Sequence, residues 1–454
     1  MPDSTAYKSC YDKVVKYKIT AECKEPFHVG GGGEDGEILV HPVDNMPFLQ
    51  ATGIAGAFRE YFSYDRHLQE ELFGNAGNSE DDGAISKVFF SDGIFRSASL
   101  YTELRPRIRI NPETGTCLNQ ETKGNSIKSG QKFETEVLSS GSVFEFEIYL
   151  YEKQENYENA LEESLAALHR GEIQLGGQKS NGCGYAVLLS VKKAEYHLTD
   201  KFDRILWRDE SKEMKEILED ICENIKREDE RMHFALEGIT DGGLLIKAVA
   251  VTEYGENAPD AVNIRNGKKK YIIPASSVKG AVRAQMERIA RYRDMGEQII
   301  QEAFGTAGNE EHLPIPGEIY FYDCEIGSAE DNDKVPVQRR IHIDKFTGGV
   351  MPQHLFSEKP AYGDIRICVD TKRDNDAQKG LLLMALRDFG LGLVPFGSGR
   401  SIGRGYLRGR RLQLLRGQEL IVNIDLETGK ILKGEDTVKR YLLAVEKYPV
   451  QEEN

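Results

Sequence analysis

A glycine-rich stretch at 397–406, GSGRSIGRGY, combines residue types that suit phosphate binding. Glycines can adopt positive φ angles and let backbone N–H groups approach an anion closely. Arg400 and Arg404 contribute forked donors that match phosphate oxygens, and Ser401 contributes a hydroxyl. The stretch is equally compatible with a sharp turn whose arginines lie in water. Its spacing alone therefore makes it a candidate phosphate cradle and no more.

The same arrangement occurs a second time at 176–185, as GGQKSNGCGY. There Lys179 and Ser180 stand in the places of Arg400 and Ser401. A chance turn has no reason to keep a cation followed by a hydroxyl at the same place. The recurrence therefore favours phosphate contact at both stretches.

Five blocks recur in one order along the chain, which indicates the internal duplication of a unit of roughly 200 residues. The paired blocks are FLQATGIAGAFR and IIPASSVKGAVR (48–59 and 272–283), LFGNAG and AFGTAG (72–77 and 303–308), KVFFSDGIF and EIYFYDCEI (87–95 and 318–326), PRIRINPETGT and RRIHIDKFTGG (106–116 and 339–349), and the two glycine-rich stretches. This pairing sets Ala51 opposite Ala275 and Asp92 opposite Asp323.

Each repeat is predicted to run strand, helix, strand, long hairpin, strand, helix, glycine turn, strand. This order predicts an α+β fold of two tandem ferredoxin-like (RNA-recognition-like) domains, each with a large hairpin inserted before its third strand. We place the first domain at 1–200 and the second at 232–454. Between them, 201–231 is predicted to be a charged linker helix with a narrow apolar stripe. The segment 412–454 has no counterpart in the first repeat and is predicted to form a strand pair and a short helix.

The net charge of −15 argues against a protein that coats nucleic acid through general basicity, although a locally basic groove is compatible with it. The seven cysteines are scattered, odd in number and never spaced as CxxC. This usage fits a reducing cytoplasm and argues against a disulfide framework or a structural zinc site. The first residues do not resemble a signal peptide, and no apolar run is long enough to span a membrane. We therefore expect a cytoplasmic protein with no membrane partner.

Hydroxyl residues occur where each repeat is predicted to begin its first helix. Ser276 and Ser277 are candidate N-caps in the second repeat, as is Thr52 in the first. Lys279 lies in the first turn of its helix, where a cation is unfavourable unless an anion is near. Phosphate contact by the two serines and Lys279 is compatible with a capping role for one of them.

Several of these blocks together resemble the RAMP (repeat-associated mysterious protein) superfamily. They are IPASSVKGAVR, the paired glycine turns, HIDKFTGG, and HVGGGG after the first predicted strand. Within the superfamily the chain is most similar to backbone subunits of type III CRISPR–Cas effector complexes, and its two repeats resemble a fused tandem subunit. The resemblance covers 10–198 and 232–412.

The resemblance implies a subunit that holds a guide RNA, lets it pair with a single-stranded target RNA, and contacts other subunits of the effector complex. The inserted hairpins, at 104–140 and 332–364, would be thumbs that wedge into the guide–target duplex. In relatives that cut, an aspartate on the loop after the first strand cleaves the target with a divalent metal, here expected to be Mg²⁺ or Mn²⁺. The implied reaction is attack of a ribose 2′-hydroxyl on the adjacent phosphate.

In the second repeat the matching acid is Asp260, which precedes Arg265 and the IPASS block as the loop aspartate does in cutting relatives. We therefore predict that Asp260 is the catalytic residue and the metal ligand. An ordinary Pro-Asp turn stays open as an alternative. Because the HVGGGG signature is missing from this repeat, Asp241 or Glu256 also stays open as the relevant acid.

In the first repeat the signature is present, and the acid is ambiguous. Asp35 and Glu37 are both candidate catalytic residues, and this repeat could instead be a scaffold only. His28 matches a loop histidine of the relatives. A histidine at a strand end that is hydrogen-bonded to the backbone is the simpler interpretation of His28.

The inserted hairpins carry further candidate RNA contacts. Arg105, Arg107 and Arg109 alternate, so they share one face of a strand, which would otherwise be a solvated sheet face. Phe346, Met351 and Leu355 are candidates for wedging between bases, and a role in the core or in contact with a partner subunit stays open as the alternative. The full set of predicted RNA-binding residues is Lys179, Ser180, Arg400, Ser401, Arg404, Ser276, Ser277, Lys279, Arg59, Arg283, His28, Arg107, Arg109, Arg340 and His342.

Three functions stay open on the sequence. The chain could be a backbone subunit that cuts target RNA, a scaffold that only binds guide RNA, or a guide-processing endoribonuclease that works without metal through a histidine such as His28. The duplication and the two inserted hairpins favour the first two, because a processing enzyme needs only one site.

Overall fold

The computed structural model describes residues 11–449 apart from 31–36, 76–83, 97, 99, 109, 112–131, 154–155, 225–230, 249–257, 307–313 and 373. The chain forms two compact units. The first comprises Met1–Thr102, Val137–Lys179 and Cys183–Arg227, and the second comprises Glu103–Glu136, Ser180–Gly182 and Glu228–Asn454. Two short segments of the first repeat therefore belong to the second unit.

The first repeat is built around a long central strand. Its elements are β1 (Lys13–Cys23), β2 (Phe48–Leu49), α1 (Ala51–Tyr61), α2 (Arg66–Phe73), β3 (Val88–Phe90), β4 (Gly93–Phe95), β5 (Thr102–Ile108), β6 (Lys132–Leu138), β7 (Val143–Glu152), α3 (Glu158–His169), β8 (Ala186–His197), α4 (Lys201–Arg208), β9 (Lys215–Glu216) and α5 (Leu218–Asn224). Strand β1 lies between β7 and β8 and is antiparallel to both. Strands β3 and β4 pair with β7, and β5 pairs with β6 in a separate two-stranded sheet.

Alternation along β7 sets the buried face of this sheet. In VFEFEIYLYE, the residues Phe144, Phe146, Ile148 and Leu150 are buried, and the residues between them are more exposed. Apolar side chains of α1 and α3 join the same core cluster. The helices therefore cover one face of an antiparallel sheet.

The second repeat follows the same plan and adds further elements. They are β10 (Met232–Asp241), β11 (Ala261–Val262), β12 (Ile272–Ile273), α6 (Ala275–Tyr292), α7 (Gln298–Phe304), β13 (Gly305–Thr306), β14 (Ile315–Pro316), β15 (Ile319–Phe321), β16 (Cys324–Glu325), α8 (Ala329–Lys334), β17 (Gln338–Ile343), β18 (Val350–Lys359), β19 (Asp364–Thr371), α9 (Asp376–Gly390), β20 (Tyr406–Arg416), β21 (Glu419–Asp425), β22 (Lys430–Lys433) and α10 (Glu435–Glu446). Strand β10 lies between β19 and β20, as β1 lies between β7 and β8. Strands β17 and β18 form an antiparallel pair.

The two central strands share one irregularity. The pairing register shifts between Thr20 and Ala21 where β1 meets β8, and between Glu237 and Gly238 where β10 meets β20. Both shifts affect the pairing with the last strand of the repeat. The predicted α+β class is confirmed, because each repeat combines an antiparallel sheet with packed helices.

The carboxyl-terminal segment forms the predicted strand pair and helix. Strands β21 and β22 extend the second sheet beyond β20, and α10 packs against α9. A Cβ added to Gly380 of α9 would lie 2.5 Å from the Tyr441 carbonyl oxygen, so glycine permits this close helix contact. Helix α9 is consequently buried on most of its surface, and its buried residues include Gln378, Lys379 and Asp388 as well as its apolar side chains.

The prediction of a single linker helix is wrong. The segment instead forms α4, the short strand β9 and α5, with β9 added to the edge of β8. Ile217 and Ile221 are buried in the core of the first unit, so the apolar stripe packs inward and does not serve an isolated helix. None of the helices in the described residues is long and apolar enough to cross a membrane.

A matched pair of glycine substitutions tests the turn before β20. Gly403 and Gly405 have φ angles of 79° and 82°. A Cβ on Gly405 would lie 1.9 Å from the Phe396 carbonyl oxygen, whereas a Cβ on Gly403 would meet nothing within 4 Å. We expect Gly403→Ala to cost about 1 kcal/mol of unfolding free energy from strain at positive φ. Gly405→Ala should cost more than about 3 kcal/mol, because the backbone must shift. Urea unfolding measures both, and equal losses would contradict the expectation.

Candidate nucleic-acid interface

Helix α6 begins with a carboxylate that is distant in sequence. The N-cap residue, Pro274, makes no side-chain cap, and the Ala275 N–H donates to Asp323 Oδ1 at 2.8 Å. Ser276 and Ser277 lie within the first turn and are half-buried. The predicted serine cap is therefore wrong, because the helix starts one residue earlier and Asp323 takes that role. The serine hydroxyls are left for other partners.

A carboxylate that is distant in sequence also caps the start of α1 in the first unit. Its N-cap, Gln50, makes no side-chain cap, and the Ala51 N–H donates to Asp92 Oδ1 at 2.7 Å. The predicted cap at Thr52 is wrong for the same reason, since Thr52 already lies inside the helix and is exposed. The pairing of Asp92 with Asp323 in the sequence thus reflects a shared capping role.

Four predicted RNA-binding residues from three separate stretches meet in the second unit. Lys279 Nζ, in the first turns of α6, donates to Ser180 Oγ at 2.8 Å. Burial, followed by the positive charges of Arg283 and Arg107, lowers the pKa of Lys279 to about 8. We call Ser180, Lys279, Arg283 and Arg107 the Lys279 cluster.

The Lys279 cluster is an unfavourable arrangement for the protein alone. A half-buried ammonium near two guanidinium groups, at the amino end of an 18-residue helix, experiences only positive electrostatic influences from these neighbours. Arg283 is held in place by Glu287, whose Oε1 accepts from Nε at 2.7 Å, and its guanidinium lies over the Phe304 ring. A bound anion such as phosphate would offset the repulsion.

The glycine turn at 397–406 presents two of its predicted contacts to solvent. Gly399 and Gly403 both adopt left-handed φ angles, and between them Arg400–Ile402 forms one short 3₁₀ turn. Arg400 and Ser401 are exposed at this turn. The geometry leaves both side chains accessible to a ligand.

Arg404, from the same turn, has a different role. It is 4% exposed, and its guanidinium donates to Glu358 Oε2 at 2.5 Å and to Gln338 Oε1 at 2.7 Å. Burial would raise the pKa of Glu358, but hydrogen bonds from Arg404 and Arg340 outweigh this and lower it. Arg404 therefore joins the turn to the β17–β18 hairpin. An RNA contact by Arg404 was predicted from the sequence, and its guanidinium is instead buried against Glu358 and Gln338. Arg340 also forms an ion pair with Glu358.

The first glycine turn is held by backbone contacts to the strand end that carries His28. The Gly177 N–H donates to the His28 carbonyl oxygen at 2.9 Å. A Cβ on Gly176, which has a φ of 77°, would lie 2.7 Å from the same oxygen. Lys179 forms an ion pair with Glu60 at 3.2 Å. Lys179 is thus oriented by an exposed acid, and a phosphate could replace that acid.

The remaining predicted contacts are dispersed. Arg59 and His342 are exposed, and Arg109 lies outside the described residues. On the β17–β18 hairpin, Phe346 is 98% exposed and Leu355 is 59% exposed. Exposed apolar side chains at a hairpin are available for stacking or partner contact. Their role as wedges stays a prediction.

Asp260 is fixed by one serine on β18. The Ser357 N–H and the Ser357 hydroxyl both donate to Asp260 Oδ2, at 2.7 and 2.9 Å, and the Asp260 N–H donates to the Ser357 carbonyl oxygen at 2.7 Å. These bonds lower the pKa of the exposed Asp260 carboxyl. Asp260 is therefore ionised at neutral pH and positioned by the hairpin.

The alternative acids have weaker settings. Asp241 ends β10 and lies 3.8 Å from Arg408, and Glu37 is exposed. Asp35 and Glu256 lie outside the described residues. Among the described residues, no group of three or more His, Cys, Asp or Glu could hold a metal ion. A single hard carboxylate such as Asp260 suits Mg²⁺, which is commonly bound by one or two carboxylates together with water and substrate phosphates.

Two structurally important residues were not predicted. No sequence pattern identified Ser357 as the partner of Asp260, because the two are brought together only by strand pairing. Arg105 was recognised only as part of an alternating strand, yet it is 6% exposed and donates to both carboxylate oxygens of Asp323. The sequence alone did not indicate that the charged side chain of Arg105 would be buried.

Comparison with known proteins identifies the family. The RAMP superfamily model matches the chain twice, over residues 20–187 and 242–408. The chain therefore belongs to the RAMP superfamily, with one copy in each repeat. No curated protein matches it.

One solved chain is similar to part of this chain. It comes from the cryo-EM structure of the type III-B Cmr-β complex bound to cognate target RNA. That chain is 18% identical, and the alignment covers 40% of this chain and 61% of that chain, with a TM-score of 0.32. The family assignment rests on the repeated family match.

Substitution of the two arginines of one turn separates folding from binding. Arg404→Ala would leave the buried Glu358 with fewer cationic partners, so we expect a loss of about 3 kcal/mol in unfolding free energy. Arg400→Ala removes an exposed side chain and should change stability by less than about 0.5 kcal/mol. Urea unfolding of the full chain measures both losses. Equal stability of the two variants would refute the structural role of Arg404.

Proposed function

We propose that this chain is a fused two-unit backbone subunit of a type III CRISPR–Cas effector complex, which binds guide RNA and cleaves paired target RNA. Membership of the RAMP superfamily in two copies supports a tandem subunit. The Lys279 cluster is the observation that carries the RNA-binding part. The other effector subunits are its protein partners in this proposal.

The strand order supports the ferredoxin-like detail of the proposal. In the first repeat the last strand β8, the first strand β1, the third strand β7 and the short middle strands β3 and β4 follow one another across the sheet. This is the order expected of the split βαβ arrangement. The β5–β6 and β17–β18 pairs correspond to the proposed thumbs.

RNA binding is proposed through local charge. The net charge of −15 would repel RNA at long range, so contact depends on short-range basic sites. In the Lys279 cluster, an RNA phosphate would accept from the Lys279 ammonium. Ser276, Ser277, Arg400, Ser401 and Lys179 are proposed as further contacts to the guide.

Cleavage is assigned to the second repeat at Asp260. Both hydrogen bonds from Ser357 fall on Oδ2, and we assign the ligand role to Oδ1. The ionised carboxylate would orient the attacking 2′-hydroxyl, whose oxygen bonds to the adjacent phosphorus while its proton passes to water. The bond to the 5′-oxygen breaks in the same step, and that oxygen takes up a proton from water. Mg²⁺ or Mn²⁺, when bound at Asp260, would neutralise charge that develops on the phosphate.

The alternative is a scaffold that binds guide RNA without cutting. It is favoured by the single carboxylate at the candidate site, since no described acid accompanies Asp260 in a metal-binding group. A metal-independent processing activity through His28 is less well supported, because the chain carries two repeats and a processing enzyme needs only one site.

The pH dependence of RNA binding tests the Lys279 cluster. Lys279 loses its proton above about pH 8 in the free protein, whereas a bound phosphate would stabilise the ammonium and raise its pKa. Affinity of the full chain for a short single-stranded RNA should therefore fall by up to about tenfold per pH unit above pH 8. Lys279→Arg keeps its charge and should remove this decline. Fluorescence anisotropy measures both proteins, and an identical decline in the variant would exclude Lys279 as the titrating group.

Target cleavage by the assembled complex tests Asp260. Asp260→Asn keeps the size of the side chain and removes its charge, so at least one cut should slow by about 100-fold or more while guide binding is retained. Ser357→Ala removes one hydrogen bond that lowers the Asp260 pKa, so the acid limb of the pH–rate profile should move to higher pH. Asp241→Asn tests the alternative acid, and loss of a cut in this variant but not in Asp260→Asn would move the role to Asp241. If every cut persists in Asp260→Asn, the assignment of Asp260 is wrong. A pattern of target fragments that is unchanged when Asp260, Asp35 and Glu37 are all replaced by alanine would support the scaffold function.

A further inference from the structure

The start of α6 is covered by segments that come from the other repeat. Arg105 on β5 donates from Nη1 and Nη2 to the two oxygens of Asp323, at 3.1 and 2.6 Å. A Cβ on Gly182 would lie 2.4 Å from the Ala275 Cβ, so the tip of the first glycine turn lies directly against the helix start. All of these residues belong to the second compact unit. Asp323 thus joins the helix start to a hairpin arginine.

The matching helix start in the first unit is exposed. Asp92 accepts from the Ala51 N–H as Asp323 accepts from the Ala275 N–H. Among the described residues, Asp92 takes part in no ion pair that corresponds to the one between Arg105 and Asp323. Ala51 is half-buried and Asp92 is exposed, whereas Ala275 is 1% exposed. Within the described part of the chain, one of two equivalent surfaces is therefore covered, and the other is exposed.

The residues of the second repeat that correspond to Gly182 and Arg105 do not form the same contacts. Gly403 corresponds to Gly182, and a Cβ on Gly403 would meet nothing within 4 Å. At the offset that pairs Ile108 with Ile341, Gln338 stands in the place of Arg105. Gln338 accepts from Arg404 and donates to the Tyr362 hydroxyl. The second hairpin therefore offers no arginine at this position.

We infer that the surface formed by Asp92 and the start of α1 is a docking site for a different protein, one that presents an arginine on a hairpin strand beside a glycine-rich turn. Charge complementarity is the reason, because the equivalent carboxylate in the second unit is neutralised by such an arginine in a bidentate pair. A second copy of this chain is a poor occupant, since Gln338 replaces the arginine. The inference goes beyond the proposed function and requires neither RNA binding nor cleavage.

Supplying the missing arginine tests the docking site in the isolated full chain. Gln338→Arg should give the chain a donor for Asp92 of another copy and so produce head-to-tail oligomers, because such a contact is heterologous and does not close. Asp92→Asn in the same chain removes the charge yet keeps a side chain that can cap α1. It should restore the monomer. Analytical ultracentrifugation measures the state of wild type and of both variants.

Each outcome decides the inference. Oligomers of Gln338→Arg that weaken by at least about tenfold on adding Asp92→Asn support it. Oligomers that persist with Asp92→Asn, or a folded Gln338→Arg chain that stays monomeric, overturn it. If wild type already associates through Asp92, the occupant is a second copy, and the assignment of a different partner is wrong. Gln338→Arg places two arginines together, because Gln338 accepts a hydrogen bond from Arg404. If Gln338→Arg melts at a lower temperature than wild type, the double variant Gln338→Arg/Arg404→Gln, which exchanges the two residues, is used in its place.

Discussion

The capping of a helix by a carboxylate from a distant strand is the interaction on which each repeat depends. Asp92 and Asp323 each bind the first N–H of the helix that carries the family block. A carboxylate at this place satisfies a backbone donor and complements the positive end of the helix. It also fixes the helix against the strand that precedes the acid. The position of the Lys279 cluster follows from it, because Lys279 is one turn into the helix that Asp323 anchors.

Charge in this protein is arranged at two scales. The chain as a whole is acidic, and yet Lys279, Arg283 and Arg107 lie close enough for the arginines to lower the lysine pKa. An arrangement of that kind costs folding free energy in the absence of a counter-charge. The net negative charge repels RNA at long range, and the basic cluster attracts phosphate at short range. This combination favours a ligand whose phosphates reach defined positions and disfavours nonspecific binding to any polyanion.

Much of the fold could be predicted because it is encoded locally and twice. Alternation identifies β1 and β7, amphipathic spacing identifies α3, and recurrence of five blocks reveals the duplication. The helix caps could not be predicted, because Asp92 and Asp323 are brought to Ala51 and Ala275 only by tertiary folding. Local hydroxyls then seemed the natural caps on sequence grounds.

The candidate site also contains residues that the sequence could identify and one whose role it could not. Lys279 was identified from its place in the first turn of a helix. Repetition identified Ser180 and Arg400, with their counterparts Ser401 and Lys179, as hydroxyls and cations at equivalent places. Membership of the same glycine-rich stretch grouped Arg404 with them, although a buried carboxylate from β18 engages its guanidinium. Sequence pattern reports which residues recur, and burial decides whether a recurring arginine faces a ligand or the interior.

The edges of the two sheets limit how this chain can associate. Beyond β20, the second sheet ends in the four-residue strand β22, which carries exposed Lys430 and Lys433, and the first sheet ends in the two-residue strand β9. Short and charged border strands discourage the addition of a foreign strand by backbone pairing. Growth of an assembly from this chain would then proceed through side chains and turns, which can be specific for one neighbour, whereas a bare strand edge would accept almost any extended peptide.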